Sequence, residues 1–510
     1  MLVDNDVERD SRVQKVARSA ARAGWRVTVL GKAPGTGGRR WSIDGAEVRL
    51  LPAVSNLAKR RHEFRRRWLI APLAYPPTGI KARRRQEIEA RLVDLRTRRA
   101  ALPRTASRSS RLARSAESAR DAALVARLAA TRLAGKWVWL RGGMLTFGQK
   151  ARGRLVLPSD LVYTWFWSAV MRERAWRRLE PALWDYELAY GPVIDELAPD
   201  LIHAHDFRML GVGARAVVRA REAGRDVKLV WDAHEFLPGV EPWQRNARWL
   251  PGNVAHEREY APFADAVVTV SASLGDLLRD THHLSVEPVV VQNAPATGDI
   301  AAGGALDLRT ACGVGTNAPL AVYSGVAAAK RGLDVMVAAL PDLAELHVAL
   351  VVANVSAPYV LGLRRRAAGL GVGDRLHVLP YVPYDQVVPF LAGADVGVIP
   401  IRHFPNHEIA LITKFFEYSH ARLPIVVSDV KTMADTVRAT GQGEVFRADD
   451  VADYVRAMRT VLADPAKYRS AYDAPGLLGG WTWEAQADVL DGVYRRLLDT
   501  PAGRLPKSGD

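Results

Sequence analysis

Residues 406–429 combine a phosphate-binding pattern with a carboxylate at helical spacing. The segment reads as a polar loop, a helix that begins with Thr413 and Lys414, and a buried strand, with Glu417 one turn beyond Lys414. The free N–H groups and positive dipole end of a helix favour phosphate, and a carboxylate nearby can accept hydrogen bonds from a sugar diol. The pattern suits a nucleotide diphosphate sugar. On its own the segment fits an ordinary amphipathic helix with a solvated Glu417 more readily, and the other segments described below reverse that balance.

This segment resembles the donor site of the large retaining glycosyltransferase family 4, whose members have the two-domain GT-B fold. In that family two glutamates lie eight positions apart, the first facing the transferred sugar and the second facing the ribose hydroxyls. Glu417 matches the second, whereas Ile409 occupies the first position with Glu408 beside it. The resemblance implies a ribose contact for Glu417. Further donor contacts are expected from four residues of the same segment: Asn406, Glu408, Thr413 and Lys414.

A second donor segment is expected in the loop of residues 323–332, where small residues precede two cations. Gly325 would let the backbone approach a ligand closely, and Lys330 and Arg331 stand at the start of the next helix. The loop resembles the family's glycine-arginine…lysine-glycine phosphate loop. Arg331 aligns with the lysine, but Val326 replaces the arginine, so Lys330 or Lys414 would have to supply the second charge. We expect Arg331 and Lys330 to stabilise the departing diphosphate and therefore to be catalytic.

Two strands in the first half of the chain end in histidines. His203 and His205 lie on one face of a strand because side chains alternate with period two, and ligands bind at the carboxyl ends of such strands. Each strand edge offers only two ligand-like residues without cysteine, so the pattern predicts no metal. Resemblance to the family implies that His205 lies near the reacting sugar. The expected acceptor side comprises four residues: Asp10, Arg12, His234 and Glu235.

Length and composition indicate a globular chain of more than one domain. The 510 residues are 48% apolar and contain one cysteine, Cys312, which excludes an internal disulfide and fits a reducing cytoplasm. No eighteen consecutive residues are apolar, and residues 1–6 do not resemble an export signal. Only Leu2 and Val3 remain for the first strand, so that strand is expected to be short or the translation start to lie upstream.

The positive charge is concentrated in one stretch. The whole chain carries a net charge of +16, but residues 59–154 contain 26 Lys plus Arg against 6 Asp plus Glu, a net of +20 that leaves the remainder at −4. The pattern changes over residues 58–179 to arginine-rich, helix-compatible sequence, which we interpret as a basic helical insertion. Its tryptophans lie in or near cationic clusters: Trp68, Trp137, Trp139, Trp165 and Trp167.

Tryptophan beside long basic side chains is typical of the lipid–water interface, so the insertion is predicted to bind an anionic membrane surface. Solvated basic helices are almost as good an interpretation. Nucleic acid is the least favoured partner, because no recognised nucleic-acid motif is present. We therefore expect no nucleic-acid partner.

Alternation of apolar runs with helical patterns predicts two Rossmann-like, doubly wound α/β domains. The first is expected over residues 1–300 with the insertion at 58–179, and the second over residues 301–480. Residues 481–510 are expected to form a helix that crosses back to the first domain, as the resemblance implies for a GT-B fold.

The resemblance implies a retaining hexosyltransferase. We expect it to need no metal or other cofactor, because Arg331, Lys330 and helix N–H groups would neutralise the diphosphate and no Asp-x-Asp-like pair lies at a plausible donor strand end. It would move a sugar from a nucleotide diphosphate donor to a glycan, lipid-linked or small-molecule acceptor, in cell-envelope or polysaccharide biosynthesis. It would be cytoplasmic and peripheral on the inner face of the cell membrane. Two alternatives remain open from the sequence: a sugar-nucleotide epimerase of the same architecture, and a noncatalytic sugar-binding or membrane scaffold protein.

Overall fold

The computed structural model describes residues 1–499 except 36, 54–72, 76–79, 101–110, 155–157, 243–245 and 299–306. Contacts divide the chain into two compact units. The larger comprises Met1–Val54, Leu183–Glu241 and Asn253–Asp510, and the smaller comprises Ser55–Ala182 with Pro242–Gly252. The smaller unit thus contains the whole basic stretch, residues 59–154. It also contains a short later segment, Pro242–Gly252, that the sequence did not predict.

The first sheet of the larger unit has seven strands: β1 (Thr28–Lys32), β2 (Arg39–Ile43), β3 (Ala46–Leu51), β4 (Leu201–His205), β5 (Lys228–Ala233), β6 (Ala266–Thr269) and β7 (Val289–Val290). The strands form two runs, β1-β3-β2 and β4-β5-β6-β7, in which every pair except β2–β3 is parallel. Leu2 bridges Leu30 and Ala204, so the start of the chain lies between β1 and β4.

The second sheet has six strands: β8 (Leu320–Ser324), β9 (His347–Val352), β10 (Leu376–Pro380), β11 (Val396–Ile399), β12 (Ile425–Ser428) and β13 (Gly443–Phe446). All pairs are parallel in the order β10-β9-β8-β11-β12-β13. Parallel strands covered on both faces are apolar runs, and every residue of β8, β11 and β12 is buried. The strand order reverses between β8 and β11, where ligands bind in doubly wound sheets. The predicted α/β fold with two Rossmann-like sheets is confirmed.

Helices connect the strands of both sheets. In chain order they are α1 (Ser11–Arg22), α2 (Ile80–Ala100), α3 (Arg111–Arg154), α4 (Pro158–Met171), α5 (Trp176–Leu179), α6 (Leu183–Leu197), α7 (Asp206–Glu222), α8 (Trp249–Tyr260), α9 (Ala272–His282), α10 (Leu308–Cys312), α11 (Leu333–Ala338), α12 (Pro358–Gly369), α13 (Val387–Leu391), α14 (Pro405–Glu408), α15 (Thr413–His420), α16 (Lys431–Thr440), α17 (Val451–Ala463), α18 (Pro465–Ser470), α19 (Leu477–Gly480) and α20 (Trp483–Asp499).

The last helix, α20, packs on the first sheet. Trp483, Leu490, Val493 and Tyr494 are buried in one cluster with residues of α1, β1 and β3. Burying four large apolar side chains is a substantial hydrophobic gain, which explains why the chain returns there after the second sheet. The domain boundaries at residues 300 and 480 stay predictions, since residues 299–306 lie outside the described part of the chain.

The elements that the structure describes in the smaller unit are helices. Its longest elements are α2 and α3, which pack against each other, followed by α4. Among the described residues, no helix combines the length and the apolar character that crossing a bilayer requires. Residues 59–72, including Trp68, lie outside the described residues.

Candidate active site

A buried ion pair lies at the carboxyl ends of β4 and β5. Arg12, on α1, donates from Nε and Nη2 to the two carboxylate oxygens of Asp232 at 2.9 and 2.7 Å, and from Nη1 to the backbone oxygen of Val291 at 2.8 Å. Both side chains are almost fully buried. Such a forked pair fixes α1 against the strand ends, and it would be costly to break because either charge alone would be left uncompensated.

Three histidines surround Asp232. His205 is the register partner of Asp232 on the neighbouring strand, and its Nδ1 lies 3.1 Å from Oδ2. His203 stacks on His205 with ring centroids 4.3 Å apart, and its Nδ1 lies 2.5 Å from the Tyr494 hydroxyl. His234 Nε2 lies 3.1 Å from the same Asp232 oxygen. The strand-end histidines predicted from the sequence therefore meet, with a central carboxylate.

Burial and charge give these groups distinct protonation states. Burial lowers the pKa of His203 to about 3 and also lowers the pKa of His205. Burial alone would raise the pKa of Asp232, but Arg12 and the histidines hold that pKa well below its usual value. Burial opposes protonation of His234 as well, yet attraction to Asp232 leaves its pKa raised. Near neutral pH, His205 is therefore a neutral imidazole beside a carboxylate.

One ring nitrogen of buried His205 lacks a protein partner among the described residues. Its Nε2 is buried without a hydrogen-bond partner in the described part of the chain. A buried unpaired ring nitrogen is unfavourable unless a ligand satisfies it. This observation agrees with the placement of His205 beside a reacting group, which itself stays a prediction.

Potential metal ligands are closer together than the sequence indicated. Ligand atoms of His203, His205 and Asp232 all lie within 4.8 Å of one another. The expectation that only two such residues meet at each strand edge is wrong, because Asp232 precedes His234 by two positions and joins the histidines of β4. Both carboxylate oxygens already accept from Arg12, whose charge would repel a cation. The residues present therefore fit a metal poorly.

Two of the four expected acceptor residues, Asp10 and Arg12, line a pocket of about 580 Å³. Asp10 caps α1 by accepting from the backbone N–H of Val13 at 3.1 Å, which leaves its second oxygen to accept from Asn5 at 2.8 Å. The pocket lining comprises Asn5, Asp6, Arg9, Asp10, Ser11, Arg12, Lys32, Ala33, Pro34 and Asn293. His234 and Glu235 are not part of this lining, and Glu235 is exposed.

The predicted phosphate loop and helix start meet at the reversal of the second sheet. Gly325, immediately after β8, has a φ of +143°, and a Cβ there would lie 2.1 Å from Cε of Lys414. Lys414 Nζ lies 5.5 Å from the centre of the Tyr323 ring. Burial and the charge of Arg331 lower the pKa of Lys414 to about 8. The lysine ammonium thus lies directly over the backbone of Gly325, a contact that the sequence did not predict.

Arg331 adds a second charge at this place. It is half-buried, and its Nε has no hydrogen-bond partner among the described residues. Lys330 is exposed, and its backbone oxygen accepts from the N–H of Arg402 at 3.1 Å. Lys414, which lies at Gly325 beside Arg331, is therefore better placed than exposed Lys330 to supply the charge missing at Val326.

Glu417 lies one turn beyond Lys414 on α15 and is half-buried. Burial raises its pKa, while Lys414 and Lys15 oppose that rise. Lys15 was not predicted from the sequence. It comes from α1, where it is buried and donates to the backbone oxygen of Ala294 at 2.5 Å. Glu417 thus lies in a mixed-charge environment that suits a hydroxyl-rich ligand.

Three residues assigned to the donor form hydrogen bonds with the protein itself, and those of Thr413 and Asn406 join the two sheets. Thr413 Oγ1 accepts from the amide of Asn293 at 3.2 Å. Asn406 accepts from the N–H of Phe236 at 2.8 Å and donates to its backbone oxygen at 3.1 Å. Glu408 lies 2.5 Å from Nδ1 of His403 and accepts from the N–H of residue 431 at 2.8 Å. These bonds hold the loop before α15, and donor contacts of these residues stay predictions.

Two family models match this chain, one over the region of each sheet. One family model, Glycosyl transferases group 1, matches residues 308–474, and another, Glycosyltransferase Family 4, matches residues 140–294. The chain is a family 4 glycosyltransferase. Two relatives of this glycosyltransferase are D-inositol 3-phosphate glycosyltransferase 1 of Catenulispora acidiphila, 27% identical over 60% of this chain and 74% of the relative, and glycogen synthase of Mycobacterium tuberculosis, 25% identical over 60% and 72%.

Solved structures support the fold of this glycosyltransferase. Sucrose-phosphate synthase of Thermosynechococcus elongatus is 15% identical, with a TM-score of 0.58 over 96% of this chain and 93% of that chain. The α,α-trehalose 6-phosphate synthase of Burkholderia multivorans is 12% identical, with a TM-score of 0.53 over 98% of both chains. At these identities the likeness concerns the fold, which is GT-B.

Proposed function

We propose that this glycosyltransferase transfers a hexose, with retention of configuration, from a nucleotide diphosphate sugar. The observation that carries the proposal is that Lys414 lies over Gly325, at the strand-order reversal of the second sheet, within electrostatic range of Arg331 and one turn before Glu417 on α15. Lys414, Arg331 and the N-terminus of α15 bind the diphosphate there, and Glu417 accepts hydrogen bonds from the ribose hydroxyls.

The reaction needs charge stabilisation more than a protein nucleophile. As the bond between the sugar carbon and the phosphate oxygen breaks, its electron pair moves to the diphosphate. Lys414 and Arg331 stabilise that developing negative charge. The acceptor hydroxyl attacks the same face, and its proton passes to the departing phosphate oxygen. No protein group is covalently modified in this scheme.

The acceptor enters from the pocket lined by Asp10 and Arg12, with His205 toward the reacting sugar. Neutral His205 can accept from or donate to a sugar hydroxyl through Nε2, which lacks a partner in the described residues. The acceptor class proposed is a glycan or a lipid-linked or small polar molecule. Relatives named D-inositol 3-phosphate glycosyltransferase and glycogen synthase support hydroxyl-rich acceptors of this kind.

We further propose that this transfer takes place at the cytoplasmic face of an anionic membrane, in cell-envelope or polysaccharide biosynthesis. The basic stretch with a net charge of +20 over residues 59–154 supports electrostatic docking. Each basic residue near an anionic surface contributes about 1 kcal/mol, so the attraction is salt-sensitive.

A donor panel tests the proposed reaction. The full chain is incubated with UDP-, GDP- and ADP-sugars, with and without a lipid extract, and nucleoside diphosphate release and sugar transfer are measured. The proposal expects acceptor-dependent release and a product whose anomeric configuration, read by NMR, equals that of the donor. Acceptor-independent interconversion of one sugar nucleotide into another would support the epimerase instead, and an inverted product would contradict retention.

A further inference from the structure

Helix α3 has a stripe of large apolar side chains on its solvent side. Leu133, Trp137, Leu140, Met144 and Phe147 are spaced by four, three, four and three residues and are between 44% and 68% exposed. At 3.6 residues per turn this spacing places them on one face over about 21 Å of helix. An ordered apolar surface of this size is unusual in water and indicates a binding surface. We call these five residues the α3 stripe.

The α3 stripe is not the surface that packs on α2. Leu128, Thr131 and Val138 are buried, and glycines between and beyond them face α2, with Gly135 near Ile88. At about 100° per residue these positions lie on the side of α3 opposite the stripe. Helix α3 therefore has two apolar faces, of which one forms the hairpin with α2 and the other remains exposed.

Charges around the stripe identify the partner. Residues 122–159 contain seven basic residues and no acidic residue. Arg132 and Lys136 lie on one flank of the stripe, and Arg127 and Arg141 lie on the other. A second copy of this helix would bring like charges together, whereas an anionic lipid surface would attract both flanks. Long basic side chains can also extend from a half-immersed helix to lipid phosphates.

Helix α4 offers a similar surface in the same unit. Its exposed apolar residues are Leu161, Val162, Trp165, Phe166 and Val170. On its other side, the buried carboxylate of Asp160 accepts from Arg248 at 2.7 Å, which fixes the polar face inward. Because the Asp160 side of α4 is held inside the unit, Trp165 and Phe166 on the opposite side are exposed.

We propose that the α3 stripe inserts into the headgroup region of an anionic bilayer, with α3 parallel to the membrane plane. This inference rests on the membrane docking proposed above and adds the inserting residues and their orientation. The apolar side chains enter the interface to a depth of about 5–10 Å, and the basic flanks bind lipid phosphates. Trp137 enters the lipid, and Trp139, about 200° around the helix, stays outside.

The test compares these two neighbouring tryptophans. In a Cys312→Ser background, Trp137→Cys and Trp139→Cys are each labelled with a polarity-sensitive nitrobenzoxadiazole dye in the full chain. Vesicles of phosphatidylcholine with phosphatidylglycerol, or of phosphatidylcholine alone, are then added. We expect a blue shift and an intensity increase for the dye at 137 with the anionic vesicles, and no change for the dye at 139.

Unlabelled variants provide a second readout. Trp137→Ser should reduce partition onto the anionic vesicles in flotation by about tenfold, because one large apolar side chain leaves the lipid. Trp139→Ser should change partition by less than about twofold. Nucleoside diphosphate binding should be unchanged in both variants. If the unsubstituted chain itself binds no nucleoside diphosphate, the proposed donor site is wrong, but the inference about the stripe is unaffected.

Three results would overturn the inference. Equal responses at 137 and 139 would mean that the stripe has no orientation toward lipid. Normal flotation of Trp137→Ser, abolished by salt, would mean that charge alone binds the membrane. A dimer in analytical ultracentrifugation that Trp137→Ser converts into a monomer would make the stripe a self-association surface.

Discussion

Gly325→Ala is expected to disable the donor site without touching a charged residue. An added Cβ would lie 2.1 Å from Cε and 2.3 Å from Nζ of Lys414, far inside contact distance. Because these atoms end a flexible side chain, the ammonium would move away rather than the backbone. The φ of +143° also disfavours any L side chain at this position.

The size of the effect follows from these two consequences. A displaced lysine loses a charge-assisted contact with diphosphate worth about 1.5–3 kcal/mol, which corresponds to roughly 10- to 150-fold in donor affinity. The backbone strain costs about 1–3 kcal/mol of folding stability. We therefore expect Gly325→Ala to lower both donor affinity and the melting temperature.

A double-mutant cycle separates the two consequences. Donor affinity is measured by titration calorimetry for Gly325→Ala, Lys414→Ala and the double variant, with Gly362→Ala as control because its Cβ would have no neighbour within 4 Å. In the Lys414→Ala background nothing remains to be displaced, so Gly325→Ala should cost little further affinity. Independent, multiplicative losses, or a folded Gly325→Ala protein with unchanged affinity, would refute the reasoning.

Three further predictions concern the same site. Glu417→Gln should lower transfer by on the order of 10²-fold or less, since a neutral amide accepts more weakly from the ribose diol; unchanged turnover and donor affinity in steady-state kinetics would remove Glu417 from the site. The pKa of Lys414 is lowered to about 8, so its ammonium loses its proton above that pH. We therefore expect kcat/KM for the donor to be highest below about pH 8 and to fall above it, and the kcat/KM profile of Lys414→Arg should lack this fall. Activity should survive EDTA, as both oxygens of Asp232 are engaged by Arg12; a loss that added metal reverses would show that a cation is needed.

Local patterns were sufficient to select two segments that the fold brings together. Gly325 and Lys414 were predicted separately, one from small residues after a strand and the other from a helix start, and the parallel sheet then brings them together. The two segments come together because strand ends of a doubly wound sheet share one edge, while their contact with a donor stays a prediction.

Long-range partners could not be predicted in the same way. Arg12 was predicted as an acceptor contact, yet it forms an ion pair with Asp232, 220 positions away in the chain. Lys15 looked like one polar residue on a helix, and only the packing of α1 against the first sheet buries it near Glu417. The local periodicity of apolar residues along the sequence does not identify such pairs, because tertiary packing determines which distant side chains come into contact.

The central claim is that Lys414 and Arg331 hold the diphosphate of the donor. The most direct measurement compares binding of nucleoside diphosphates with that of the matching monophosphates, across UDP, GDP and ADP, in the unsubstituted chain and in Arg331→Ala. We predict that the diphosphate of the preferred base binds more tightly than its monophosphate, and that Arg331→Ala reduces this preference by about tenfold or more while monophosphate binding changes little. An unchanged preference in Arg331→Ala, or equal loss for both nucleotides, would contradict the account.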